Sequence, residues 1–138
     1  MSEYPTVKFL ELKIMPNKLS GLYFDNQIFI DKFKSNYEKH GILAEELGHL
    51  ETTFGDILDQ TKLRNRQLEN RARRWGYNKV VSLDKIIECY RIGNTTLYDM
   101  CTHLEITPIF LKESIDFYKA RYGISKKHGK YVILFEPL

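Results

Sequence analysis

The segment 35-SNYEKHGILAEELGHLETTFG-55 constrains the fold more than any other part of the chain. Ser35 followed three residues later by Glu38 is a capping-box pattern, in which two side chains satisfy two backbone N–H groups at a helix start. Leu43, Leu47, Leu50 and Phe54 recur at helical spacing as one apolar stripe, and Gly55 stands just past its end. The pattern predicts a helix with Ser35 as N-cap, running to about Thr53, its stripe in the core. At about 100° per residue, Glu46 borders that stripe, and His49 and Glu45 lie progressively further round the same flank. Three ionisable groups therefore stand close to an apolar face.

Two extended stretches precede this helix. Residues 7–14 partly alternate apolar and polar side chains, and residues 21–30 read as two short strands around an Asp25-Asn26 turn. A second helix is expected over residues 65–81, with Leu68, Ala72, Trp75 and Lys79 on its stripe and the long Lys79 side chain snorkelling at the edge. Glu69 stands beside Ala72 and Gly76, small residues that let another helix approach its backbone. A short helix follows over residues 84–91. Asn94 is expected to cap a next one carrying Leu97, Met100, Cys101 and Leu104. Thr107-Pro108 reads as N-cap and first helical residue of a last helix, with Leu111, Ile115 and Tyr118 on one face and its end near Gly123. A Lys-Lys-His-Gly-Lys turn then leads into an apolar strand over residues 131–135.

Strands followed by helices point to an α+β fold, with a small antiparallel sheet packed on the helix that carries Glu45 and His49. At 138 residues a single domain over 1–138 is expected, with residues 1–82 as its core and 83–138 as C-terminal helices and terminal strand. No apolar run approaches the roughly 20 residues of a membrane span, and the first residues lack the apolar core of a signal peptide. Cys89 and Cys101 then read as reduced, buried thiols, and the expected location is the cytoplasm. A net charge of +3 is too small to argue for nucleic acid, although Arg64, Arg66, Arg71, Arg73 and Arg74 crowd one segment and Lys126, Lys127 and Lys130 another.

Glu45-Glu46-Leu47-Gly48-His49 differs by one residue from H-E-x-x-H, a pattern that places two ligands and a general base on one helix. Hydrolytic zinc sites use three protein ligands and keep one position open. A helix supplies two of them from i and i+4, the spacing of Glu45 and His49. Glu46, beside the first ligand position, is placed to take a proton from the attacking water. The third ligand usually comes from another helix, and Glu69 is the candidate. Glutamate in place of the first histidine keeps a zinc–oxygen bond of roughly 2.0–2.2 Å possible. It changes the charge, because two carboxylates cancel a divalent ion. Such a centre acidifies water less and favours harder ions such as Mn²⁺ more, which predicts a weaker hydrolase. The same spacing also describes a solvated flank of an amphipathic helix. Asp56 and Asp59, just past the helix, can meet a cation or cap turns.

At these residues the chain resembles the ImmA/IrrE family of metallopeptidases, over nearly its whole length. The motifs that carry the resemblance are Gly21-Leu-Tyr-Phe-Asp-Asn, Ile42-Leu-Ala-Glu-Glu-Leu-Gly-His49, Thr52-Thr-Phe-Gly-Asp-Ile57, Asn65-Arg66 and Glu69-Asn-Arg-Ala72-Arg-Arg-Trp75. The last looks like the family's E-x-x-A with an aromatic residue three positions on. The A-E-E-L-G-H form is similar to a branch found in phages and mobile elements of Gram-positive bacteria, which accepts glutamate at the first ligand position. The resemblance implies a zincin-like fold and a Zn²⁺ site with His49 and Glu69 as ligands and Glu46 as the catalytic glutamate. Glu45 stands at the position of the absent histidine, as the remaining ligand. It also implies a substrate, a phage-type transcriptional repressor that is cleaved or inactivated to release its genes.

Two other functions fit parts of the sequence. A pseudo-peptidase would bind the repressor and displace it without cutting, a reading favoured by Glu45 itself. A helix-turn-helix over residues 94–122, with the basic hairpin as a wing, would bind DNA. There Lys112, Lys119 and Arg121 are offset by Glu113 and Asp116, and two helices closing a small core explain the pattern as well, so direct nucleic-acid binding is not expected. The arginines between 64 and 74 can dock an acidic partner surface or nucleic acid, or form a solvated face paired to acids. Trp75 reads as core, and His40, His103 and His128 have no ligand-like spacing.

Overall fold

The capping box at Ser35 forms as its residues dictate. Glu38 N donates to Ser35 Oγ, and Ser35 N donates to Glu38 Oε1, each at 3.1 Å. The Ser35 backbone N–H, and then its hydroxyl, hold the Glu38 carboxyl below the ordinary carboxylate range. Helix α1 (Asn36–Thr52) starts there. The computed structural model describes residues 8–13, 15, 19–24, 27–52 and 66–136. Val7, Ile14, Asp25, Asn26, Thr53, Phe54, Gly55, Asp56, Ile57, Asp59, Arg64 and Asn65 lie outside the described residues, as do the side chains of Arg66 and Leu68. The chain divides into two compact units, Met1–Trp75 and Gly76–Leu138.

In the first unit, strands β1 (Lys8–Leu12), β2 (Gly21–Phe24) and β3 (Gln27–Asp31) form one sheet in the order β1-β3-β2. β2 pairs antiparallel with β3, Phe24 opposite Gln27, as a close hairpin requires. β1 pairs parallel with β3, Lys8 opposite Gln27, so the sheet is mixed and not the antiparallel sheet expected. The reason lies in the strand order. β1 and β2 flank β3 on opposite sides, and the chain between them leaves and returns at the same end of β3. Backbone bonds mark that end: Asp31 N donates to Ser20 O at 2.9 Å and Lys32 N to Leu12 O at 2.8 Å. Alternation along β3 turns Ile28 and Ile30 inward, where they meet Leu47 of α1. Phe9, Ile42, Leu43, Leu50 and Trp75 pack around these three. Burying each such aliphatic side chain stabilises the fold by about 1.5–3 kcal/mol, which fixes the face α1 turns to the sheet.

Helix α2 (Arg66–Val80) carries Glu69 and Ala72 in the first unit and continues past Gly76. In the second unit each helix start has its own cap. Ser82 Oγ accepts from Lys85 N at 3.2 Å and opens α3 (Leu83–Arg91). Thr96 Oγ1 accepts from Asp99 N at 3.1 Å and opens α4 (Leu97–Leu104). The cap expected at Asn94 is therefore two residues off. Asn94 N donates to Cys89 O at 2.8 Å, so its backbone closes the preceding helix. Thr107 caps α5 (Pro108–Tyr122), with proline in the first turn, and Gly123 ends it. A hairpin of β4 (Ser125–His128) and β5 (Tyr131–Leu134) follows. Lys126, Lys127 and His128 thus lie in a strand, and the turn is confined to Gly129 and Lys130, with Gly129 at φ 61°. The stem of Lys126 carries its ammonium over the Tyr122 ring, 4.9 Å from the centroid. Cys89, Met100, Cys101, Leu104, Ile106, Leu111, Ile115, Tyr118, Ile133 and Phe135 are buried in this unit. The two thiols are free, and burial pushes both above the ordinary cysteine value. Among the described residues no helix is long and apolar enough to cross a membrane.

Candidate metal centre

Two small residues bring α1 and α2 together in the first unit. A Cβ placed on Gly48 would lie 2.3 Å from the Ala72 carbonyl oxygen and 3.0 Å from its Cα. Only hydrogen fits there, so the helices touch backbone to backbone. Ala72 is fully buried at this contact. Gly48 follows Glu45 by three residues, and Ala72 follows Glu69 by three, so one acidic side chain on each helix sits a turn before the contact. The close approach that the small residues around Glu69 predicted is formed at Ala72.

Three side chains converge across this contact. Glu45, His49 and Glu69 each bring one donor atom within 4.8 Å of the other two. His49 is 2 % exposed, and its Nε2 lies 3.2 Å from Glu69 Oε1. Both atoms are shut off from solvent, and their approach lacks hydrogen-bond geometry. Donors held tetrahedrally at roughly 2.0–2.2 Å from one ion lie about 3.4 Å apart, close to the separation seen. A cation between the two would satisfy an imidazole nitrogen that is otherwise buried without an acceptor or donor. The group can therefore hold a metal ion, through one nitrogen and two carboxylate oxygens.

The charge balance points the same way. Burial first, then a hydrogen bond shared with Glu69, the Glu69 charge and the Glu46 charge push the Glu45 carboxyl up to about 8, against the pull of Arg73. Two carboxyl groups this close share a proton where a cation can stand instead. Arg73 Nε donates to Glu45 Oε1 at 3.3 Å.

Glu46 is not one of the three donors, although its charge reaches Glu45. It is 2 % exposed and faces the sheet, where a Cβ on Gly21 of β2 would lie 3.1 Å from its Cγ and 3.4 Å from its Cδ. Glu46 and His49 are thus far more buried than a flank position implies. The reason is that α1 is covered on two sides, by the sheet at Leu47 and by α2 at Gly48. Reasoning from the sequence missed three residues that build the centre: Gly48, Gly21 and Arg73. The glycine inside the helix, directly before His49, was a usable signal for a close contact. Arg73 was hidden among neighbouring arginines, though its i, i+4 spacing from Glu69 puts both on one face of α2. His103 and His128 lie elsewhere, in the second unit, where they approach Glu88 at 3.5 Å and Asp84 at 2.7 Å. Compared with protein-family models, curated proteins and solved structures, the chain matches none of them.

Proposed function

We propose that this chain is a metal-dependent endopeptidase of the ImmA/IrrE type, zincin-like in architecture, that acts on a phage-type transcriptional repressor in the bacterial cytoplasm. The observation that carries this reading is the convergence of Glu45, His49 and Glu69 from two helices onto one point. Zn²⁺ is the first candidate for that point, and Mn²⁺ the alternative that a carboxylate-rich donor set favours. When bound, such an ion supplies Lewis-acid polarisation of a carbonyl and a more acidic water. Glu46 moves the proton. It is the neighbour of Glu45, is buried, and takes a proton from the attacking water for delivery to the leaving amine. Among the described residues strand β2 stands at the edge of the sheet with its Gly21 against Glu46, where an extended peptide would pair with its backbone.

The test is to incubate the protein with repressors of the mobile element that carries it and to follow their integrity. Cleavage is expected with Zn²⁺, and Glu46→Gln is expected to lower its rate by about 10²–10⁴-fold. Glutamate at the position of the first histidine, Glu45, favours a second reading, in which the fold binds a repressor without cutting it. If Glu46→Gln relieves repression as well as the wild type does, displacement and not cleavage is the mechanism.

A further inference from the structure

The centre contains a fourth residue whose place follows from the same helix contact. Glu45 and His49 stand at i, i+4 on α1, and Glu69 and Arg73 stand at i, i+4 on α2. The Gly48–Ala72 contact lies between these pairs. Arg73 reaches back across it to Glu45, Nε to Oε1 at 3.3 Å. Its side chain is 52 % exposed and that of Glu45 28 %. An ion pair this open contributes little to folding, and Glu45 has solvent to turn into if nothing holds it. Once both carboxyls are ionised, as a metal requires, Glu69 repels it from the site. The Arg73 guanidinium, on Glu45 Oε1, counters that repulsion.

We propose that Arg73 is a positioning residue for Glu45. It holds the carboxylate that replaces a neutral imidazole and offsets its charge, so that the Glu45–Arg73 pair presents a cation with the net charge of one neutral ligand. The inference rests on the metal-site reading above. Two carboxylates and an imidazole cancel a divalent ion, and the guanidinium restores one positive charge to the assembly. The substitution at the first ligand position is thereby compensated from the second helix, by a residue four positions from Glu69.

The test measures Zn²⁺ affinity of the full chain by competition with a chromophoric chelator, in a double-mutant cycle. Arg73→Gln is expected to weaken Zn²⁺ binding by roughly 10–100-fold, the usual effect of removing a residue that orients a ligand. Arg73→Lys should retain most of the affinity, because the contact is made through one nitrogen. In a Glu45→His background, Arg73→Gln should change affinity by no more than about threefold, within the additivity expected of uncoupled sites. The melting temperature of the metal-free chain should move little with Arg73→Gln, which separates positioning from a structural role and shows that the variant folds. Equal losses in both backgrounds, or no loss in either, would overturn the proposal. Absence of Zn²⁺ binding by the wild type would overturn the metal-site reading and this proposal with it. Binding that is lost in His49→Ala but indifferent to Arg73 would overturn the proposal alone.

Discussion

Glu45 is the residue on which chemistry and stability meet. Its carboxyl is pushed up to about 8 from an unfolded value of 4.5. Folding therefore favours its protonated form. Across the window between those two values the unfolded chain releases this proton while the folded chain keeps it, so the metal-free protein loses stability as pH rises. Thermal unfolding in chelator should show the melting temperature of the wild type falling relative to Glu45→Gln between about pH 5 and about pH 8. Parallel profiles for the two proteins would contradict this. A metal competes with the same proton, so Zn²⁺ affinity should rise over that window, with proton release on binding. Much of this was legible in the sequence. The i, i+4 spacing of Glu45 and His49 is a property of any helix, and the small residue Ala72 marks where a second helix can come near. The engagement of Glu45 by Arg73 was not legible, because a guanidinium in a run of arginines has many partners within reach and only the helix crossing selects one.

At the scale of elements, the contact between α1 and α2 decides whether the centre exists. Gly48→Ala sets two effects against each other. Alanine improves helix propensity by about 1 kcal/mol. Its Cβ also falls 2.3 Å from the Ala72 carbonyl oxygen, a backbone atom that moves only if the helix moves. Overpacking of this kind costs about 1–3 kcal/mol, and it separates the donors besides. We expect Gly48→Ala to melt at lower temperature and to bind Zn²⁺ more weakly than wild type, checked by calorimetry and chelator competition. A stabilised variant with unchanged affinity would show that the helices do not touch here. In the second unit, Tyr118 Oη donates to Val81 O at 2.7 Å, and burial above all pushes this phenol up to about 12. Tyr118→Phe leaves that carbonyl without its donor and should cost about 1–3 kcal/mol in chemical denaturation. Although Thr96 and not Asn94 caps α4, the helix starts at Ser35 and Thr107 were legible, since a cap is a contact over three residues. The parallel pairing of β1 with β3 was not, because strand order depends on residues far apart in sequence, and alternation reads the same for either direction.

For the whole molecule, the division at Trp75 places all three donors in one unit. Hydrogen exchange should therefore slow on metal addition in α1 and in the part of α2 that precedes Gly76. The amides of α4, α5 and the terminal hairpin should change little. Protection spread evenly over both units would show that the ion acts elsewhere. The sequence conveyed the class of the fold through its order of strands and helices. The inner boundary expected after residue 82 differs from the division after Trp75, which falls inside α2 where no linker marks it. Everything proposed for this unit depends on Glu45, His49 and Glu69 holding one cation together. Zinc stoichiometry and coordination by X-ray absorption test it most directly, on wild type, His49→Ala and Glu69→Gln. One ion per wild-type chain is expected, in an all nitrogen-and-oxygen shell, with loss of that ion in both variants. Failure of the wild type to bind zinc, or binding that survives both substitutions, would contradict it.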